Sequence, residues 1–145
     1  MNNRKLYTVL FLAYCALMLW LLFDRPGYDP GIPYWEQASG HLNLVPLRTL
    51  RLFTQLLDSS RPELVRAAVI NLAGNIIMFI PLGLLLPKVF PKLSTLPRVL
   101  LATAMVITLV EITQLFTLVG SCDIDDLILN LLGAAIGYGI LKSVK

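Results

Sequence analysis

The chain has 145 residues, of which 57% are hydrophobic and only 14% charged. A soluble domain carries about a quarter charged residues, and with a mean hydropathy of +0.74 both a soluble globular domain and a disordered chain are excluded. A pI near 9.0 does not indicate a nucleic-acid partner, because the basic residues collect at the ends of apolar runs rather than on one face.

The apolar residues fall into four runs: Leu6 to Phe23, Ala67 to Pro87, Val99 to Cys122 with Glu111 as its single charge, and Leu127 to Leu141. Stretches of about 18 apolar residues or more read as membrane spans. The expected fold is an all-α integral membrane protein, one domain over residues 1–145, with four transmembrane helices and a short interfacial amphipathic helix in the first loop. The first helix is expected over Lys5 to Phe23. Arg4 and Lys5 before an apolar stretch resemble a signal peptide, but the run exceeds a usual signal core. Asp24-Arg25-Pro26-Gly27 also offers no small-x-small cleavage site, so an uncleaved span is expected.

A long connection, Asp24 to Arg66, opens with Pro26, Gly27, Pro30, Gly31 and Pro33, which exclude a continuous helix. Within it, between Pro46 and Asp58, Leu47, Leu50, Phe53 and Leu57 recur at helical spacing, opposite Arg48, Arg51, Gln55 and Asp58. This piece is too short to span. It suits either a helix in the headgroup layer with its arginines toward lipid phosphate or a helix packed over the bundle, and both readings stay open. The second span is expected from Val65 to Pro87, and a basic loop from Lys88 to Pro97, with prolines at 87, 91 and 97 breaking the helix. The third is expected over Arg98 to Val119 and the fourth over Ile124 to Lys142.

Four spans place both termini on one side. That side holds Arg4, Lys5, Lys88, Lys92, Arg98, Lys142 and Lys145 and no acidic residue. The other holds Arg25, Arg48, Arg51, Arg61 and Arg66 balanced by five carboxylates. The excess of basic residues favours cytoplasmic termini, with the long loop outside.

Polar residues within the spans gather at one depth. Asn71 and Asn75 start the second span, Glu111 lies roughly 20 Å along the third, Gln114 is one turn beyond, and Asp123, Asp125, Asp126 and Asn130 open the fourth. An ionisable residue inside a span costs about 2.5–3.5 kcal/mol on insertion scales and normally faces a bundle interior or cavity, which makes Glu111 the sharpest candidate. The structural alternative is a hydrogen bond from Glu111 to Asn71, Asn75 or an arginine. Asp123 as N-cap with Asp126 at the third helical position would complement the helix dipole, but capping leaves Asp125 and Asn130 unexplained. Gly133 and Gly137 form a GxxxG packing face on the same stripe as Asp126 and Asn130, and Pro81 is expected to kink the second span below Asn75. Cys15 reads as a small apolar residue, and no disulfide with Cys122 or metal-binding cysteine pattern is expected. His41 reads as solvated.

Several carboxylates with amide oxygens suit a divalent cation or an ammonium group, and Arg48 and Arg51 suit phosphate. No nucleophile–His pair, phosphate loop or dinucleotide motif is present; a divalent cation is a possible cofactor, and no other is expected.

Four blocks resemble the VanZ-like family: Asn43 to Thr49 (NLVPLRT), Asn71 to Pro87 (NLAGNIIMFIPLGLLLP), Glu111-Ile112-Thr113-Gln114, and Asp123 to Gly137 (DIDDLILNLLGAAIG). They run in order, at the family spacing, over about residues 40–140. Leu47 stands where the family often has phenylalanine. Gly120-Ser121-Cys122 lacks the arginine or phenylalanine that many members carry ahead of the aspartate, so Arg48 is a candidate to neutralise the carboxylates instead. The resemblance implies a multi-pass protein of the bacterial cytoplasmic membrane whose founding member is associated with teicoplanin resistance. It points to Asn43, Arg48, Asn75, Glu111, Gln114, Asp123, Asp125, Asp126 and Asn130 as site residues.

The preferred reading is a non-enzymatic protein of the lipid bilayer that binds a lipid head group, an envelope precursor or a glycopeptide. A scaffold whose polar groups only lock the helices comes second. An intramembrane enzyme on a lipid-linked substrate, with Glu111 as general base or a metal on the aspartates, comes third. A transporter would need polar residues through the other half of the bundle, and that half is almost wholly Leu, Ile, Val, Phe and Ala.

Overall fold

A computed structural model describes residues 3–24 and 27–144. Arg25 and Pro26 of the turn-rich stretch and Lys145 of the basic terminal side lie outside the described residues. Four helices are long and apolar enough to cross a membrane: α1 (Asn3–Phe23), α4 (Pro62–Val89), α5 (Leu96–Thr117) and α6 (Ile124–Ser143). In hydrocarbon every backbone donor and acceptor must be met within the segment, so a long apolar run has little choice but helix. The loop between α1 and α4 carries α2 (Tyr34–Gly40), the two-residue strand β1 (Leu42–Asn43) and α3 (Arg48–Leu57).

The helix pair that organises the bundle is α4 with α6. A Cβ at Gly133 would overlap the Ile76 carbonyl, one at Gly137 the Ile80 carbonyl, and one at Gly83 the Ala134 carbonyl. Because 76 meets 133 and 80 meets 137, the two helices run parallel, with their first turns at the same end of the bundle. Lipid tails are as apolar as leucine, so close approach and dispersion hold these helices together in place of hydrophobic burial. The expected GxxxG packing face is therefore present, and α4 answers it with Gly83.

α1 runs antiparallel to α4. Near its start, Lys88 Nζ lies 3.2 Å from Tyr7 Oη, and halfway along Tyr14 Oη donates to the Met78 carbonyl at 2.9 Å. Pro81 cannot donate to the neighbouring carbonyl of that turn. Met18 is the one residue of α1 that is fully buried, and it joins Phe79, Leu82, Leu86, Val99 and Ile107 in the core where α1, α4 and α5 meet.

Two prolines behave otherwise than expected. α4 continues through Pro87 to Val89, and α5 begins at Leu96 with Pro97 in its first turn. The first N–H groups of a helix have no intrahelical partner, so Pro97 forfeits nothing there. Pro87 forfeits a single bond two residues before the helix ends. Lys88 is consequently helical, and the loop shortens to a 3-10 turn at Pro91–Leu93. At the other end α5 stops at Thr117, because Leu118 turns left-handed with φ 57.

β1 pairs in parallel with β2 (Cys122–Asp123), Leu42 opposite Cys122 and Asn43 opposite Asp123, while Cys122 N donates to the His41 carbonyl at 2.8 Å. Neither strand nor α2 was foreshadowed by periodicity. α3 lies inside the expected 46–58 stretch and packs on α4 and α6, with Leu50, Phe53 and Leu56 half-buried and no residue fully so. Leu44, Val45, Leu47, Leu52 and Leu57 stay exposed around it. The helix thus rests on the bundle and still presents an apolar rim.

Gly133→Val or Gly137→Val should force α4 and α6 apart and lower stability by about 1–3 kcal/mol. Gly139→Ala, where an added Cβ meets nothing within 4 Å, should leave it unchanged. Thermal unfolding of the three proteins in one detergent checks this.

Candidate functional site

The polar residues of α4, α5 and α6 converge at the loop end of the bundle, where β2 feeds α6. Asp123 is the N-cap of α6, its side chain accepting from Asp125 N at 2.8 Å. The same oxygen, Oδ1, accepts from Asn43 Nδ2 at 3.1 Å, and Oδ2 accepts from Thr49 Oγ1 at 2.5 Å. Thr49 Oγ1 in turn accepts from Asn43 Nδ2 at 2.9 Å. The backbone N–H of Asp123 donates to Glu111 Oε2 at 2.8 Å. Glu111, 8% exposed, is therefore a bracket between α5 and the β2–α6 corner. Its partner is a backbone amide, where the sequence suggested Asn71, Asn75 or an arginine.

Asp125 is wholly buried. Its Oδ1 accepts from Leu47 N at 2.6 Å and its Oδ2 from Leu50 N at 3.0 Å. α3 starts from Leu47, which is left-handed at φ 65 and has no side chain able to cap. Asp125 supplies that cap from another helix, with its charge at the positive end of the α3 dipole. The carboxylate that capping of α6 could not explain is thus the cap of α3.

A second pair lies between the parallel helices: Asn75 Nδ2 donates to Asp126 Oδ1 at 2.6 Å. Below it Asn130 is 4% exposed, and its Oδ1, like that of Asn71, is buried without a hydrogen-bond partner. Gln114 stands apart from the carboxylates. Its Nε2 donates to the Leu22 carbonyl at 2.9 Å and ties α5 to α1. Gly120, at φ +107, passes so near this amide that a Cβ would lie 3.0 Å from it.

Of the residues singled out in the sequence, the structure joins Asn43, Glu111, Asp123 and Asp125 in one network and Asn75 with Asp126 in another. Asn130 lies beneath the second, and Gln114 belongs to the α1 contact. Arg48 is exposed and makes no ion pair among the described residues. Amides and a hydroxyl take the neutralising part expected of it. The oxygen-rich pocket also differs from expectation, because the carboxylates have separate partners. Among the described residues no three His, Cys, Asp or Glu side chains are arranged to hold a metal. Sequence reasoning missed Thr49 and the amides of Leu47 and Leu50. Thr49 ends the NLVPLRT block, and that position was its only signal.

Cys122 sits half-buried in β2 beside this network. Burial pushes its thiol above the ordinary range, and the neighbouring Glu111 and Asp123 carboxylates push it further.

A family model described as VanZ/LLP1 matches residues 11–145. The chain is also 28% identical over 134 residues to "Protein VanZ" of Enterococcus faecium, an alignment covering 90% of this chain and 72% of that protein. No solved structure matches it.

Asp125→Ala should leave two part-buried backbone donors unpaired, at about 1–3 kcal/mol each, and free the start of α3. Asp125→Asn keeps acceptor capacity and should cost less; the rate of limited proteolysis between residues 44 and 61 ranks the three proteins. In a Cys15→Ser background, Cys122 should react with maleimide more slowly than a free thiol at pH 8, since only the thiolate attacks. Glu111→Gln should move its labelling profile toward lower pH, and an unchanged profile would remove Glu111 as a cause.

Proposed function

The chain belongs to the VanZ/LLP1 family, and from that premise we propose a non-enzymatic bacterial membrane protein that binds an anionic head group at the outer leaflet. The ligand is a membrane lipid, an envelope precursor or a glycopeptide, and the physiological effect is tolerance to teicoplanin. The observation that carries this reading is the arginine pair of α3. Arg48 and Arg51 lie one turn apart, exposed, on a helix whose first turn is fixed by the buried Asp125 carboxylate. Leu44, Val45, Leu47, Leu52 and Leu57, in α3 and the residues just before it, are exposed as well. A short helix with an apolar rim and a basic stripe, held at the start of α6, suits the headgroup layer. Two guanidiniums on a fixed helix form bidentate bonds to phosphate or carboxylate with less ordering cost than the same groups on a free loop. In this reading the termini are cytoplasmic, as the distribution of basic residues favours. Asn43, Glu111, Asp123 and Asp125 build the platform, while Arg48, Asn75, Asp126 and Asn130 meet the ligand.

One observation favours a scaffold instead: Asp125 spends both carboxylate oxygens on the protein's own backbone. The two readings separate in a Gram-positive host expressing wild type, Arg48→Gln/Arg51→Gln and Asp126→Asn at matched membrane abundance. Wild type should raise tolerance to teicoplanin over vancomycin, and the arginine variant should lose it at equal abundance. Loss only in proportion to abundance supports the scaffold, and no change with any of the proteins rejects the resistance role.

A further inference from the structure

The end of the bundle opposite the polar cluster has its own groove, of about 320 Å³, where the start of α1 meets the last turns of α4 and α6. Leu84, Leu85, Ile140 and Leu141 form its apolar wall, and Tyr7 and Lys88 stand at its rim. Lys88 is half-buried and lies one residue before the end of α4, beyond the apolar run that ends at Pro87. Its Nζ is 3.2 Å from Tyr7 Oη and 4.6 Å from the centre of that ring. Tyr7 thereby fixes the ammonium and uses only one of its three donors. No carboxylate pairs with Lys88 among the described residues. All nine acidic residues of the chain lie in the loop half, whereas Arg4, Lys5, Lys92, Arg98 and Lys142 share this end with Lys88.

We propose that this groove is a binding site for an anionic phospholipid, its phosphate on Lys88 and the Tyr7 hydroxyl and one acyl chain along Leu84, Leu85 and Ile140. Depth and chemistry agree: the charge is at the headgroup level, and the apolar wall begins one turn deeper. A cation alone would attract any anion. A cation set over an apolar slot between spans selects one that carries a tail, and basic pockets between transmembrane helices take anionic head groups in this way. The site is separate from the α3 arginines and stands or falls independently of them.

Native mass spectrometry of the full chain in neutral detergent, titrated with phosphatidylglycerol and with phosphatidylcholine of identical tails, tests it. Phosphatidylglycerol should bind the tighter of the two. Lys88→Gln should cut that preference roughly fivefold, the factor expected for one basic group at an anionic surface, while Lys88→Arg keeps it. Arg98→Gln, outside the groove, should change it little, and Ile140→Trp should weaken both lipids by narrowing the slot. Equal binding of the two lipids overturns the proposal. So does an equal loss in Lys88→Gln and Arg98→Gln, which marks a diffuse surface charge, and so does displacement of the lipid by tail-less glycerol phosphate. A dimer that excludes lipid would assign the groove to a second copy of the chain and overturn it as well.

Discussion

A carboxylate carried into the interior of a membrane bundle must be solvated by something, and for Asp125 the solvent is the backbone at the start of α3. Two N–H groups reach its two oxygens, and hydrogen bonds to a charged group are each about 1.5–3 kcal/mol favourable. That one interaction welds residues some 75 positions apart. It lets α3 begin at a leucine that cannot cap and that adopts a left-handed conformation, which for a β-carbon-bearing residue costs about 1–2 kcal/mol. Without the clamp the start of α3 would have neither a cap nor a reason to hold φ 65 at Leu47.

The rest of the loop end is built outward from this point. Asp123 closes its own helix and gathers Asn43 and Thr49, which brings β1 alongside β2, and Glu111 holds the backbone N–H of Asp123 from α5. The parallel contact of α4 with α6 is what sets the first turn of α6 beside the middle of α4, so that Asn75 meets Asp126. Glycine at 83, 133 and 137 makes that contact possible, because any side chain there would strike a carbonyl. The bundle therefore has two unlike ends. One is cross-linked by carboxylates and amides, and the other is apolar between its helices and basic around its rim.

Much of the fold was legible because hydrocarbon leaves an apolar run few conformations, so four run lengths translated into four helices. The depth of Asn75, Glu111, Asp123, Asp125 and Asp126 was legible too, since rise per residue converts sequence position into height. The partners were not. Glu111 and Asp125 bind backbone N–H groups, which every residue but proline carries and which no side-chain pattern marks. β1 and β2 are two residues each, too short for an alternation to register. Pro87 misled because a proline near a helix end forfeits one bond, and the remaining turn holds without it.

The residues that make the NLVPLRT and DIDDLILN blocks recognisable are therefore not all available to a ligand. Asp125 has spent both oxygens, and Asp123 has accepted three bonds and donated a fourth. What remains is the exposed arginine pair of α3 and, on α4 and α6, the amide oxygens of Asn71 and Asn130, buried without partners. A buried acceptor left unmet costs about 1–3 kcal/mol, so a water or a ligand donor reaching the α4–α6 seam recovers free energy that the folded chain alone forgoes. In the proposed reading Asp125 matters to binding by fixing the start of α3 and with it Arg48 and Arg51, so its substitution would act on a ligand through the position of α3.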